Sequence, residues 1–261
     1  MAIITLLTDY GTGDGYVAAL KGVIAGIAPD ARVVDITHEV PPYDVAHAAF
    51  VLGQVWRWFP AGTIHVAVVD PGVGSARRIL LGEFAGRFAV APDNGLLTFV
   101  HHDHPTGRVW SVENTRYFLP DISSTFHGRD ILAPVAAHLA MGVTGSSVGP
   151  ATDQLERLPI PPRAERHAGG LRGQVVHVDR FGTLVSNIHQ DQLPKADGDR
   201  DRLQVTIDGT PIGSIRKSFH EVPVGEPLAM VGGSGFLEIA VNQGRAVERF
   251  GASVTILVEA V

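Results

Sequence analysis

Apolar positions over the first 140 residues form two alternating kinds of run. Short, nearly unbroken runs end on polar or turn residues: Ile3 to Thr8 before Asp9, Arg32 to Thr37, Thr63 to Val69 before Asp70, and Arg87 to Ala91 before Pro92-Asp93-Asn94-Gly95. Runs of this length predict buried strands. Between them apolar residues recur at helical spacing. Val17, Leu20, Val23, Ile24 and Ile27 share one face of a helix that follows Asp14 and stops at Pro29. Val45, Ala48, Leu52 and Val55 share a face of a second, with Asp44 at its cap and Pro60 near its end. A third helix is predicted from Asp130, in capping position, to Met141. Strands alternating with helices predict an α/β N-terminal domain with a largely parallel sheet, over residues 1–157.

The pattern changes after about residue 155. Leu158 to Arg163 holds three prolines and Gly169-Gly170 follows, so 158–170 reads as a linker. Beyond it, over residues 171–261, short apolar runs alternate with turns. Gln174 to Val178, Leu203 to Ile207, Phe236 to Val241 and Ser253 to Val258 are the clearest strands, and Asp208-Gly209 is a hairpin signal. A smaller, mostly antiparallel β domain is predicted at the C-terminus.

Composition narrows the function. The 261 residues are 45% hydrophobic and 18% charged, with a net charge of -6, so a basic patch for nucleic acid or anionic membrane is not expected. Cysteine is absent, which excludes disulfides, zinc-thiolate sites and thiol catalysis. The first residues read as a strand and not as a signal peptide, and no apolar run is long enough to span a bilayer. A soluble cytoplasmic protein is expected.

Candidate chemistry collects at the strand ends, where open α/β sheets bind ligands. Asp9, Asp70 and Asn94 each close a strand with glycine within two residues. Val69-Asp70-Pro71-Gly72-Val73-Gly74-Ser75-Ala76-Arg77 places a guanidinium seven residues after a carboxylate, across a glycine-rich turn that can fold one onto the other. That pair is equally compatible with a catalytic and a structural role. His127 stands between Phe126 and Gly128. His101, His102 and His104 are read as a solvated loop cluster, with no ligand spacing that defines a metal site. Gly232-Gly233-Ser234-Gly235 offers backbone amides to a ligand carboxylate, or simply turns a hairpin. No phosphate-binding or dinucleotide fingerprint is complete.

Taken in order, Thr8-Asp9-Tyr10-Gly11, Val69-Asp70-Pro71-Gly72-Val73-Gly74, Pro92-Asp93-Asn94-Gly95, Phe126-His127-Gly128-Arg129-Asp130 and Ser234-Gly235-Phe236-Leu237-Glu238-Ile239-Ala240 resemble the SAM hydroxide adenosyltransferases, relatives of the fluorinase and chlorinase. The resemblance implies hydrolysis of S-adenosyl-L-methionine (SAM) to adenosine and L-methionine. It further implies a homotrimer, with sites between the N domain of one subunit and the C domain of the next. By position, Asp70, Arg77 and His127 match the family's catalytic triad. Asp9 matches the ribose-binding carboxylate, Tyr43 and Phe181 the aromatic residues around the nucleoside, Asp179 the acceptor for the methionine ammonium, and Gly233-Ser234 the carboxylate-binding turn. Asp14, Gly128 and Thr183 complete the binding set. SAM is the substrate, and no cofactor and no metal are implied.

Five departures bear on the choice between water and halide. Thr183 stands where relatives commonly carry Asn, and Ser234 where the fluorinase has a basic residue. Asp70 stands where the halogenases carry Tyr, and Gly128 where the fluorinase has Ser. The fluorinase's extra loop has no counterpart between Arg78 and Ala91. The rival expectations are a chlorinase-like halogenase, a non-catalytic SAM or adenosine binder, and a metal-dependent hydrolase.

Overall fold

The computed structural model describes residues 1–159, 163–167, 169–193 and 202–260. The chain divides into two compact units, Met1–Pro159 and Ile160–Val261. Pro161 and Pro162 of the expected linker lie outside the described residues.

The first unit is built on a six-stranded sheet. Its strands are β1 (Ile3–Thr8), β2 (Arg32–Thr37), β3 (Ile64–Val68), β4 (Ile79–Phe84), β5 (Arg87–Pro92) and β6 (Arg108–Ser111), in the order β2-β1-β3-β5-β4-β6. The first four run parallel, while β4 pairs antiparallel with both β5 and β6. The sheet is therefore mixed, and its antiparallel edge was not foreseen. The β4–β5 hairpin turns on Ala85-Gly86, both at positive φ, 49° and 74°. That is the backbone of a tight hairpin without the Asn-Gly or Asp-Gly pair that announces one.

Helices cover both faces, so β1, β3 and β5 are buried on both sides, whereas β2, expected as a buried strand, lies at the sheet edge and has no fully buried residue. On one face α1 (Tyr16–Ile27) and α4 (Ala133–Ala140) pack Leu20, Ile24, Val135 and Ala136 against Ile4, Leu6, Val66 and Val68. On the other, α2 (Val45–Trp56) and α3 (Thr98–Asp103) pack Ala48, Leu52 and Val100 against Leu7, Ala67, Val69 and Ala91. Asp44 caps α2 as expected, accepting from the His47 backbone N–H at 2.9 Å. Asp130 does not cap α4. It lies within a π-helical turn, Gly128–Leu132, that leads into the helix. Its buried carboxylate instead accepts from the Ser123 backbone N–H and from Arg129. His101 is half-buried with its ring edge-on to Phe84, rather than solvated. Among the described residues no helix is long and apolar enough to cross a membrane.

The second unit carries a nine-stranded sheet. Its strands are β7 (Glu165–His167), β8 (Gly170–Val178), β9 (Leu184–His189), β10 (Leu203–Ile207), β11 (Thr210–Gly213), β12 (Ile215–Arg216), β13 (Pro227–Val231), β14 (Phe236–Val241) and β15 (Thr255–Ala260). The path runs β11-β10-β15-β8-β9-β14-β13-β12, with β7 beside β8. Every pairing is antiparallel except β12 with β13. β11 comes close to β13 and β10 to β12, which curls the sheet towards a barrel. Asp208-Gly209 turns the β10–β11 hairpin, both residues at positive φ. A short helix α6 (Ala246–Phe250) follows β14, and α5 (Gly145–Val148) lies in the first unit.

Candidate active site

Asp70 follows the end of β3, and the chain then makes a compact turn. Val73 N–H donates to the Asp70 carbonyl and Ser75 N–H to the Gly72 carbonyl. Gly74 sits at φ 78°, and a Cβ there would lie 2.4 Å from the Ser124 carbonyl oxygen. Both facts require glycine, and the close approach brings the loop before His127 against this turn. The turn returns Arg77 to Asp70. Arg77 Nε lies 2.7 Å and 2.8 Å from the two carboxylate oxygens, and Nη2 also donates to Oδ2. The two side chains are only 11% and 6% exposed, so this is a buried, bidentate ion pair and not a surface contact. Asn94 supports it from the next strand end, donating to the Val69 carbonyl at 2.8 Å. Asn94 is thereby a scaffold residue.

Arg77 makes a further contact: its Nη2 is 2.9 Å from His127 Nδ1. A guanidinium has donors only, so Nδ1 is the acceptor and carries no proton. Burial, followed by the Arg77 charge, holds the His127 pKa below its ordinary value, while Asp70 and Asp130 act in the opposite direction. The imidazole is therefore neutral near pH 7, with its proton on Nε2. His127, 50 residues after Arg77, thus joins the Asp70–Arg77 pair in one continuous cluster.

Asp9, at the end of β1, accepts the Tyr43 backbone N–H at 2.9 Å through Oδ2. Tyr43 sits at φ 68°, a strained conformation for an aromatic residue, and its ring is 73% exposed. Asp14 is exposed in the loop before α1. Gly128 opens the π-helical turn directly after His127.

In the second unit, Asp179, Phe181 and Thr183 line one pocket of about 520 Å³, together with Phe219, Glu238 and Arg245. Asp179 Oδ1 accepts from the backbone N–H groups of Phe181 and Thr183, so the carboxylate also holds its own turn. Gly233 and Ser234 lie in the turn of the β13–β14 hairpin. Glu238, on β14, faces Asp179 and the Ser234 hydroxyl. Burial, then the Asp179 charge, pushes its carboxyl up to about 7, and Ser234 opposes the shift. Glu238 and Phe219 carried no expectation. Glu238 is the one polar residue in the otherwise apolar run Phe236 to Val241, which was the available signal. Exposure alone is a poor guide here, since Trp58 is as open as Phe181. Among the described residues no three His, Asp or Glu side chains converge as metal ligands would.

Comparison with known proteins places this arrangement. Residues 4–149 match the SAM hydroxide adenosyltransferase N-terminal domain and residues 173–259 its C-terminal domain. The chain belongs to the SAM hydroxide adenosyltransferase family. A protein of Salinispora tropica named (R)-S-adenosyl-L-methionine hydrolase is 40% identical over 96% of this chain and 94% of its own. A fluorinase of Actinoplanes sp. is 31% identical over 92% of this chain and 91% of its own. The crystal structure of an uncharacterized conserved protein from Thermotoga maritima has a TM-score of 0.90 and 37% identity, covering 98% of this chain and 99% of that one. Within the family the N-terminal match contains the Asp70, Arg77 and His127 cluster, and the C-terminal match contains the Asp179 and Glu238 pocket.

Proposed function

We propose that this SAM hydroxide adenosyltransferase hydrolyses S-adenosyl-L-methionine, releasing adenosine and L-methionine. The observation that carries this is the partly buried Asp70–Arg77–His127 cluster in a chain 40% identical to an (R)-S-adenosyl-L-methionine hydrolase along nearly its whole length. The sulfonium is already a good leaving group, so the reaction needs no general acid. It needs a water held in line with the C5′–S bond, about 3 Å from C5′, and an acceptor for its proton. The water oxygen bonds to C5′, the C5′–S electron pair goes to the methionine sulfur, and one water proton leaves.

Asp70 is the proton acceptor. His127 has its one acceptor nitrogen turned to Arg77 and so presents only an N–H to a ligand. Asp70 Oδ1 accepts only from Arg77 Nε and keeps a lone pair, while Oδ2 accepts from both Nε and Nη2, and this bidentate grip fixes the direction of the carboxylate. Asp9 takes the ribose hydroxyls, and Tyr43 and Phe181 flank the nucleoside. Thr183 meets the adenine. Asp179 takes the methionine ammonium and the Gly233-Ser234 turn its carboxylate, with Asp14 and Gly128 bordering the substrate. The step as written uses neither metal nor cofactor, because the substrate supplies its own activated bond. The working assembly is a cytoplasmic homotrimer in which one copy's N-terminal half and another's C-terminal half complete each site.

Chromatography of SAM after incubation with the pure protein, with and without chloride, tests the reaction. Adenosine and methionine in equal amounts, unchanged by chloride or by chelator, are expected. Intact SAM, or 5′-chloroadenosine in place of adenosine, would overturn the proposal.

A further inference from the structure

Tyr10 lies between the ribose candidate Asp9 and the cluster around Asp70, yet neither the fold nor the reaction as written gives its hydroxyl a task. Its ring is held firmly. It packs against Tyr16 at 5.7 Å and edge-on to Phe126 at 5.7 Å, and those two rings meet edge-on at 5.3 Å. Among the described residues no group hydrogen-bonds to its hydroxyl; its one bond runs from its backbone N–H to Thr8.

The hydroxyl points at Gly128. A Cβ built on Gly128 would lie 2.5 Å from Tyr10 Oη, against 3.5 Å from Cζ and 3.4 Å from Val68 Cγ1. The phenolic oxygen is thus the one atom that forbids a side chain at 128. The backbone does not demand glycine there, since Gly128 is not among the positive-φ residues and opens a helical turn. Glycine costs about 1 kcal/mol relative to alanine in such a turn, so steric room for Tyr10 accounts for it. The hydroxyl is also in the field of the reacting cluster. Burial raises its pKa well above the ordinary value, the Asp9 and Asp70 charges add to the shift and Arg77 opposes it. It stays a neutral hydroxyl, able both to donate and to accept.

We propose, resting on the hydrolase reading above, that Tyr10 is a positioning residue: its hydroxyl fills the space over Gly128 and forms the polar wall against which the attacking water is held. The Tyr10–Gly128 pair then sets the size of the nucleophile pocket. A residue with a side chain at 128 and a hydroxyl at 10 cannot coexist without one of them moving.

A double-mutant cycle with Tyr10→Phe and Gly128→Ala tests this, reading kcat, KM and melting temperature for all four proteins. Tyr10→Phe removes one oxygen and should lower kcat about tenfold, the scale of one hydrogen bond, with KM within about twofold of wild type and an unchanged melting temperature. Gly128→Ala should lower kcat about thirtyfold and the melting temperature by about 5 °C, the scale of local overpacking. In the double variant the alanine keeps only ordinary contacts, 3.4 Å to Val68 Cγ1 and 3.5 Å to the ring Cζ at position 10, so activity and melting temperature should return to those of Tyr10→Phe. An unchanged kcat in Tyr10→Phe, or a change confined to KM, would overturn the positioning role. Equal losses from Gly128→Ala in both backgrounds would overturn the steric pairing. A wild-type protein that releases no adenosine would instead sink the hydrolase reading, and the melting temperatures would still decide the steric pairing.

Discussion

The two units hold acidic residues in opposite electrostatic states. In the first, Asp70 is closed off by Arg77 in a nearly buried bidentate pair, and Arg77 also satisfies His127. In the second, Glu238 faces another carboxylate, Asp179, and its own pKa is pushed up to about 7. A paired charge is fixed in place and in direction. An acid raised by burial and then by a like-charged neighbour is relieved when a cation arrives. On the proposed reading, the first unit supplies the chemistry and the second captures the positively charged part of the ligand. SAM, with an ammonium and a sulfonium, asks for both.

The sharpest way to break the contrast is to remove the cation from the paired site. Arg77→Met leaves Asp70 buried without a partner, and such losses cost about 3–5 kcal/mol. Denaturant unfolding should show that loss, and turnover should vanish with it. Retention of both would mean the pair is ornamental.

Asp70→Asn keeps the shape and removes the base. Hydrolysis should fall ~10²-fold or more, the scale of general-base loss, while calorimetry shows SAM affinity within a few-fold of wild type. Loss of affinity with turnover kept per bound substrate would move Asp70 from the chemistry to the binding set.

Asp9→Ala should weaken SAM and adenosine alike, by about 1.5–3 kcal/mol for a lost charge-assisted hydrogen bond. A loss confined to SAM would place Asp9 on the methionine side.

The smallest expected effect belongs to the second unit. Glu238 has a raised pKa in the folded protein, so its protonated form is favoured and its contribution to stability is lost as pH rises from the unfolded value through about 7. A bound cation reverses this and drives the proton off. KM for SAM should therefore fall as pH rises from 6 to 8, by roughly fivefold, since the limit is about tenfold per pH unit for one linked proton. Glu238→Gln should flatten that profile. A profile as steep in the variant would assign the linked proton elsewhere.

Much of this was legible in the residues. The unbroken strands β1, β3 and β5 announce themselves because both faces are covered and no polar alternation interrupts them. The Asp70–Arg77 turn was readable because its glycines sit between two opposite charges. What escaped was either tertiary or carried by an atypical signal. The β4–β5 hairpin turns on Ala85-Gly86, where alanine at positive φ is held by the ladder around it and not by preference. The π-helical turn at Gly128 obeys the same apolar spacing as the α-helix that it enters, so Asp130 passed for a cap. The His127 tautomer depends on Arg77, 50 residues away. Glu238 stands out in the sequence only as a lone polar residue of an apolar strand; its raised pKa comes from burial and from Asp179, which depend on the folded sheet.

The most direct test of water attack at C5′ is hydrolysis of SAM in water enriched in oxygen-18, followed by mass analysis of both products. One heavy oxygen in the 5′-hydroxyl of adenosine, and none in methionine, is the predicted result. Adenosine without the label would contradict attack by water at C5′.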